Sequence, residues 1–263
     1  MLAKLTLRSL ALLYLGVIII FPVGMVLWRA FEGGVSPVLD ALTEPHALQA
    51  IQLTLLIALI AVPLNTVFGV LCAMVLVRHD FRGKGLLNAA IDLPLGISPI
   101  VIGLALIIVY GRQGWFGGWL LDHGVQVIFS TPGMVIATIF VSLPFVVREV
   151  VPVLQEIGME QEHAASTLGA GPFQTFRYIT LPAIRAGIGY GVVLTMARAI
   201  GEFGAVAIVS GKIAGRTETM TLYVEESFQS FDLTAAYALS VVMALIAFAT
   251  LLAMNLLGRT RES

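Results

Sequence analysis

Long apolar stretches alternate with short polar connectors along most of this chain. Six of the stretches are long enough to cross a bilayer core, which needs about 20 apolar residues in a helix. They cover residues 9–29, 50–77, 91–110, 133–151, 184–209 and 234–257. A buried helix of a water-soluble protein can imitate one such stretch, but hardly six. The pattern therefore predicts an all-α polytopic membrane protein with about six transmembrane helices.

The basic residues of the connectors are distributed unevenly and predict an orientation. If the N-terminus is cytoplasmic, ten Lys and Arg residues fall on the inner side and four on the outer side. The inner set is Lys4, Arg8, Arg78, Arg82, Lys84, Arg148, Arg177, Arg185, Arg259 and Arg261, and the outer set is Arg29, Arg112, Lys212 and Arg216. This asymmetry predicts that both termini are cytoplasmic. Composition agrees with a membrane protein, because 12% of residues are charged, against about a quarter in soluble domains.

One connector, EHAASTLGAGPFQTFRYITLP at residues 162–182, is more than a simple loop. The pattern predicts that residues 160–172 form a cytoplasmic helix that lies across the membrane surface, not through the bilayer, followed by a turn at Gly169–Gly171. Pro172 is well placed to open a second short helix, which leads into the next apolar run at Leu181-Pro182. A helix, a glycine turn and another helix form a plausible docking element. A structured loop without a partner would show the same pattern.

The spacing of this connector resembles the EAA loop of binding-protein-dependent ABC importers: EAA, three residues, Gly, nine residues, then Ile-x-Leu-Pro. In that family the loop, here about residues 160–182, is a cytoplasmic coupling helix that sits in a cleft of the ATPase subunit. The resemblance implies an ATPase-coupling role for the matching residues. They are Glu162, His163, Ala164, Ala165, Gly169 and Pro182. In the register set by Gly169, His163 holds the family's glutamate position, and Glu162 lies one residue earlier; either could take the ATPase contact.

Longer stretches resemble the sulfate/thiosulfate importer permeases of the CysW type. They include LTLLIALIAVPLNTVFGVL, DLPLGISPIVIGL, SLPFVVREVVPVL and YGVVLTMARAIGEFGAVAIVSG. The resemblance implies a type I, MetI-like permease fold, with residues 1–263 as a single transmembrane domain in a prokaryotic plasma membrane. It also implies sulfate import together with a second, homologous permease, two ATPase subunits that use ATP and Mg, and an external sulfate-binding protein. The block around Gly-Glu-Phe-Gly also resembles molybdate and tungstate permeases, so these anions are the nearest alternative.

Arg198 and Glu202 interrupt the fifth apolar stretch. Four residues apart on a helix, they would share a face and could pair. Each charge near the bilayer centre costs about 2.5–3.5 kcal/mol, so neither should face lipid. Two interpretations remain open: the pair lines or gates the path of an anion, or it is an internal ion pair that fixes helix packing.

Motifs of soluble enzymes are absent from the sequence. There is no GxxxxGK[ST] phosphate loop and no GxSxG element, so we expect no catalytic residue and ATP hydrolysis on a separate subunit. The four histidines are scattered, which makes a metal site or a cofactor within this chain improbable. No basic patch with interleaved aromatics indicates nucleic-acid binding. From another class, a secondary anion transporter or channel is the rival interpretation, and it would need no ATPase-docking element.

Overall fold

The computed structural model describes residue 10 and residues 12–259, and all regular elements in this part of the chain are helices. We number them in chain order. They are α1 (Leu12–Phe31), α2 (Val35–Thr43), α3 (Pro45–Arg78), α4 (Lys84–Gly96), α5 (Pro99–Tyr110), α6 (Gly117–Asp122), α7 (Thr131–Ile157), α8 (Glu160–Thr167), α9 (Pro172–Ile200), α10 (Gly204–Val209), α11 (Met220–Gln229) and α12 (Leu233–Arg259).

Helices α3, α7 and α9 pack against one another at the centre of the molecule. Their close approach depends on glycines that face Val146 of α7. A Cβ atom at Gly69 of α3 would lie 2.7 Å from the Cβ of Val146, and one at Gly191 of α9 would lie 2.8 Å from its Cα. Real Cβ atoms do not approach so closely, so small residues at these positions let the three backbones meet, as in other transmembrane bundles.

The surface of the bundle is apolar, as expected for helices surrounded by lipid. Helix α3 buries Ile57, Val62 and Ala73, yet it exposes Leu59, Leu64 and eight further large apolar side chains on its other sides. A helix that is apolar all round belongs in a membrane. Five helices of the described residues are long and apolar enough to cross one, α1, α3, α7, α9 and α12, or six if α4 and α5 together count as one.

The third predicted span, residues 91–110, is wrong as a single straight helix. The chain forms α4 and α5 instead, and these two helices meet at 113°. Pro99 explains the break, because the residue before a proline is disfavoured in the helical region. Ser98 accordingly adopts φ −58° and ψ 134°, and Pro99 opens the new helix. Ser98 and Pro99 interrupt the apolar run only briefly, so composition alone did not reveal the change in direction.

The fifth predicted span, residues 184–209, also differs from the structure at both ends. The helix starts earlier, at Pro172, and runs through Pro182 without a gap because residues Phe176–Thr180 form a π-helical turn. Such a turn shifts the hydrogen-bond register and so accommodates the missing N–H of a proline. At the other end α9 stops at Ile200, residues 201–203 are non-helical, and α10 follows as a separate short helix.

The other four predicted spans are confirmed with boundary shifts of a few residues. Residues 50–77 correspond to α3, residues 133–151 to α7 and residues 234–257 to α12. The first predicted span, residues 9–29, corresponds to α1, although residues 9 and 11 lie outside the described part. Lys4, Arg8 and Arg261, three of the basic residues behind the predicted orientation, also lie outside it.

Candidate functional site

Residues 160–182, which we call the 160–182 segment, fold into α8, a glycine turn and the first turns of α9. Gly169 has φ +88°, a left-handed conformation that favours glycine. The turn is closed by the N–H of Ala170, which donates to the Ala165 carbonyl at 3.0 Å. The N–H of Gly171 donates to the side chain of Gln174 at 3.0 Å, which caps the start of α9. The turn therefore lies where the sequence predicts it, and the helix covers the first eight residues of the predicted range, Glu160–Thr167.

The outer side of this segment is exposed and partly apolar. Leu168 at the end of α8 is 89% exposed and Phe173 at the start of α9 is 72% exposed. His163, Ala164 and Gly169 are exposed on the same segment, and Pro182 is exposed further along α9. Leu168 and Phe173 therefore give this otherwise polar connector an exposed apolar surface that a partner could cover.

Glu162 faces the other way, into the bundle. Arg78, the last residue of α3, holds its carboxylate with Nε 3.0 Å from Oε2 and with Nη2 donating to Oε1 at 3.1 Å. Thr180 of α9 donates its hydroxyl to the same Oε1 at 2.8 Å. Arg78 Nη1 in turn donates to the carbonyl of Leu154 in α7 at 3.2 Å. We call Arg78, Glu162, Thr180 and the Leu154 carbonyl the Arg78–Glu162 cluster.

His163 occupies the position next to Glu162 but is turned outward. Its carbonyl accepts a hydrogen bond from Ser166 Oγ at 2.7 Å, and its N–H donates to the Met159 carbonyl at 2.9 Å. Within the described residues its imidazole has no hydrogen-bond or ion-pair partner. Of the two candidates for the glutamate position, His163 is thus the one that an outside partner would meet.

Arg198 and Glu202 form the predicted ion pair, with Nη2 2.7 Å from Oε2. They do not share one helix, however, because α9 ends at Ile200 and Glu202 lies in the break that follows. The Glu202 side chain is 2% exposed and its Oε1 accepts the N–H of Ala205 at 3.0 Å. Its carboxylate therefore caps the first turn of α10 while Arg198 balances its charge.

A cluster of acidic residues around Glu218 lies at the N-terminal end of α3. This end is about 50 Å from Arg78, because α3 is a 34-residue helix. Glu218 is buried there, and the Oη of Tyr223 donates to Glu44 Oε2 at 2.7 Å. Desolvation by burial, followed by the hydrogen bond and charge of Glu226 and the charge of Glu44, raises the pKa of Glu218 to about 8. The raised pKa favours the protonated carboxyl of Glu218, so this acidic cluster carries less negative charge than its sequence suggests.

The partners of Glu162 were not identified from the sequence. Arg78 lies 84 residues away and entered only the count of basic connector residues. Another unforeseen contact joins α4 to α7: Arg148 donates to both carboxylate oxygens of Asp92 and, through Nη2, to Asn88 Oδ1 at 3.2 Å. Polar residues beside an apolar run were the available signal, but a single sequence does not show which of them meet.

The chain has the fold and apolar surface of a polytopic membrane protein, and comparison with known families gives its class. Residues 65–262 match the family of binding-protein-dependent transport system inner membrane components, which is about three quarters of the 263 residues. The chain therefore belongs to this family.

Individual relatives cover nearly the whole chain. It is 50% identical over 254 residues to the sulfate transport system permease protein CysW of Synechocystis sp., covering 97% of this chain and 92% of that protein. It is 37% identical over 247 residues to the permease protein CysT of Salmonella typhimurium, covering 94% and 89%.

Two solved structures share the fold at low sequence identity. One is a bacterial ABC transporter involved in the import of alginate, with a TM-score of 0.79, 16% identity, and 98% and 95% of the two chains covered. The other is a bacterial alginate ABC transporter in complex with a pentasaccharide-bound periplasmic protein, with a TM-score of 0.77, 18% identity, and 98% and 94% covered. At these identities the likeness establishes the fold alone.

Proposed function

We propose that this chain is a membrane-spanning permease subunit of an ATP-driven importer that carries sulfate, together with thiosulfate, into the cytoplasm. The observation that carries the proposal is 50% identity over 97% of the chain to a sulfate transport system permease. Similarity of that extent covers the central bundle and the 160–182 segment alike. The chain itself binds no cofactor in this proposal.

The partners follow from the same relatives and from the exposed segment. CysW-type and CysT-type relatives both match this chain, which supports a pair of homologous but different permeases. An external sulfate-binding protein would deliver the anion. Two ATPase subunits, which use ATP and Mg, would dock on the 160–182 segment, where Leu168 and Phe173 offer uncovered apolar surface.

The orientation is part of the proposal. The end of the bundle that carries the 160–182 segment and residues 78–88 faces the cytoplasm, and residues 210–233 face outward, with both termini inside. Basic residues concentrate in the connectors of the proposed inner end, Arg78, Arg82, Lys84, Arg177 and Arg185 among them.

Uptake of labelled sulfate tests the substrate. Prokaryotic cells that lack the gene should lose uptake and regain it when this chain is restored, and excess thiosulfate should compete. If molybdate or tungstate inhibits the uptake of labelled sulfate at a lower concentration than unlabelled sulfate does, that oxyanion is instead the substrate. Uptake that persists when the cognate ATPase is deleted would contradict an ATP-driven importer and favour the secondary transporter.

A further inference from the structure

A single carboxylate, that of Glu162, lies where four helices meet. It belongs to α8, it is bound by Arg78 at the end of α3 and by Thr180 in α9, and Arg78 extends the contact to Leu154 near the end of α7. The three larger helices are those that form the central bundle. A displacement of Glu162 would therefore act on all three of these helices.

Few other contacts hold α8 in place. Of its eight residues only Ala165 is buried, and its backbone packs mainly against the part of the chain that follows it. Glycines with positive φ flank the helix, Gly158 at +69° and Gly169 at +88°. A short helix between two such glycines can move as a unit, so its tie to the bundle rests largely on Glu162.

The ion pair between Arg78 and Glu162 is costly to break, so it can transmit a displacement of α8. The side chains of Arg78 and Glu162 are 6% and 16% exposed, and the guanidinium meets both oxygens of the carboxylate. Separating a shielded pair leaves two uncompensated charges, which is far more costly than breaking an exposed ion pair. The paired geometry is thus kept while α8 moves.

We infer that the Arg78–Glu162 cluster transmits movement between α8 and the central bundle, with Arg78 as a positioning residue for the coupling segment. This inference rests on the proposed function, because the docked ATPase is what moves α8. It also divides the segment into two parts: the outward residues, His163, Leu168 and Phe173, meet the ATPase, and Glu162 faces inward and carries the motion.

The test uses the whole importer, purified in lipid nanodiscs with its second permease, ATPase subunits and binding protein. Arg78→Gln, Glu162→Gln and the double variant are compared for ATPase co-purification and for stimulation of ATP hydrolysis by the loaded binding protein. Because coupling between two sites is reciprocal, this stimulation travels through the same link as transport. We expect each single variant to keep its ATPase and to lose roughly tenfold in stimulation. The double variant should be no worse than either single variant.

Asp80→Asn is the matched control, since it removes an ion pair with Lys84 near the same end of the bundle, where the Asp80 side chain is 98% exposed. It should retain the stimulation of the unmodified complex. Phe173→Ala should weaken ATPase co-purification, whereas Glu162→Gln should leave co-purification unchanged. Unchanged stimulation in Glu162→Gln would overturn the inference, and so would loss of the ATPase from that variant, since Glu162 would then be a docking residue.

The result of this variant comparison can be told apart from the result of the sulfate-uptake test of the proposed function. Sulfate identity is judged on uptake by the unmodified importer alone. The role of the Arg78–Glu162 cluster is judged on ATPase co-purification and on stimulated ATP hydrolysis. The binding protein is loaded with whichever anion stimulates ATP hydrolysis by the unmodified complex. A different transported anion would therefore change the substrate and leave the comparison of variants intact.

Discussion

At the scale of single residues, buried charge is the main feature of this molecule. The carboxyl groups of Glu202, Glu162 and Glu218 are all shielded from solvent, and a different interaction stabilises each one. Glu202 has an ion pair and caps a helix, Glu162 is paired with the guanidinium of Arg78, and Glu218 has a raised pKa that favours its protonated form. These three solutions follow from the cost of an unpaired charge away from water. Each of them predicts how the residue responds to substitution.

Arg198→Ala should lower the amount of assembled permease, because it leaves the 2% exposed carboxylate of Glu202 without a balancing positive charge. The cost is up to about 3 kcal/mol, at the low end for buried pairs since Arg198 is partly exposed. Adding Glu202→Gln, which keeps an acceptor for the Ala205 N–H, should restore the protein level. The measurement is a double-mutant cycle scored for membrane protein level and sulfate uptake.

The same cycle separates the two roles of the pair. If the pair only fixes packing, uptake recovers with protein level in the double variant. If Arg198 attracts the passing anion, the double variant assembles normally but transports poorly. Small and additive effects on both readouts would contradict both roles.

Glu218 should make thermal stability fall as pH rises. Its pKa is about 8 in the folded chain against an ordinary value of 4.5, so between these values the folded state holds a proton that the unfolded state has lost. Stability therefore declines with increasing pH across this range, and the loss is complete above pH 8. Glu218→Gln should flatten the decline in thermal stability of detergent-solubilised protein between about pH 6 and about pH 8. Asp122→Asn, at an exposed position, is the control and should keep the slope.

At the scale of elements, the sequence predicted helices well and their directions poorly. The spans that became α3, α7 and α12 were found because their apolar runs are long enough to cross a bilayer. The breaks at residues 97–98 and 201–203 were missed because apolar residues resume directly after each one, and hydropathy carries no information about the direction of a helix. The 160–182 segment was recognised because Gly169 and Pro172 are local signals. The Arg78–Glu162 contact was not, because it joins residues far apart in the chain.

The turn between α8 and α9 can be tested with one added methyl group. Gly169→Ala forces a side chain into φ +88°, at a cost of about 1–2 kcal/mol, and should disturb the placement of α8. Gly171→Ala adds the same methyl at φ −73°, where no strain arises. We expect reduced uptake with normal protein level for Gly169→Ala and unchanged uptake for Gly171→Ala. Equal uptake in both variants would show that the turn conformation does not matter for coupling.

At the scale of the whole molecule, orientation is the prediction that joins all the others, because α8 can meet an ATPase only from the cytoplasm. Single cysteines report it in a Cys72→Ser background, since Cys72 is the one cysteine of the chain. Gly85 suits the inner end, because nothing lies within 4 Å of a Cβ placed there. Ala214 suits the outer end, being exposed, whereas Thr217 in the same loop is buried.

An impermeant thiol reagent should label Ala214→Cys on intact cells and should label Gly85→Cys only after the membrane is opened. Basic residues cluster at the Gly85 end, and such residues are retained on the cytoplasmic side. Leu64→Cys, on the exposed apolar surface of α3, is the control and should resist the reagent in both preparations, because lipid covers that surface. Labelling of Gly85→Cys on intact cells, together with protection of Ala214→Cys, would show that the membrane orientation is the reverse of the one proposed. The 160–182 segment would then face outward, where no ATPase could reach it, and both the docking surface and the Arg78–Glu162 link would lose their role.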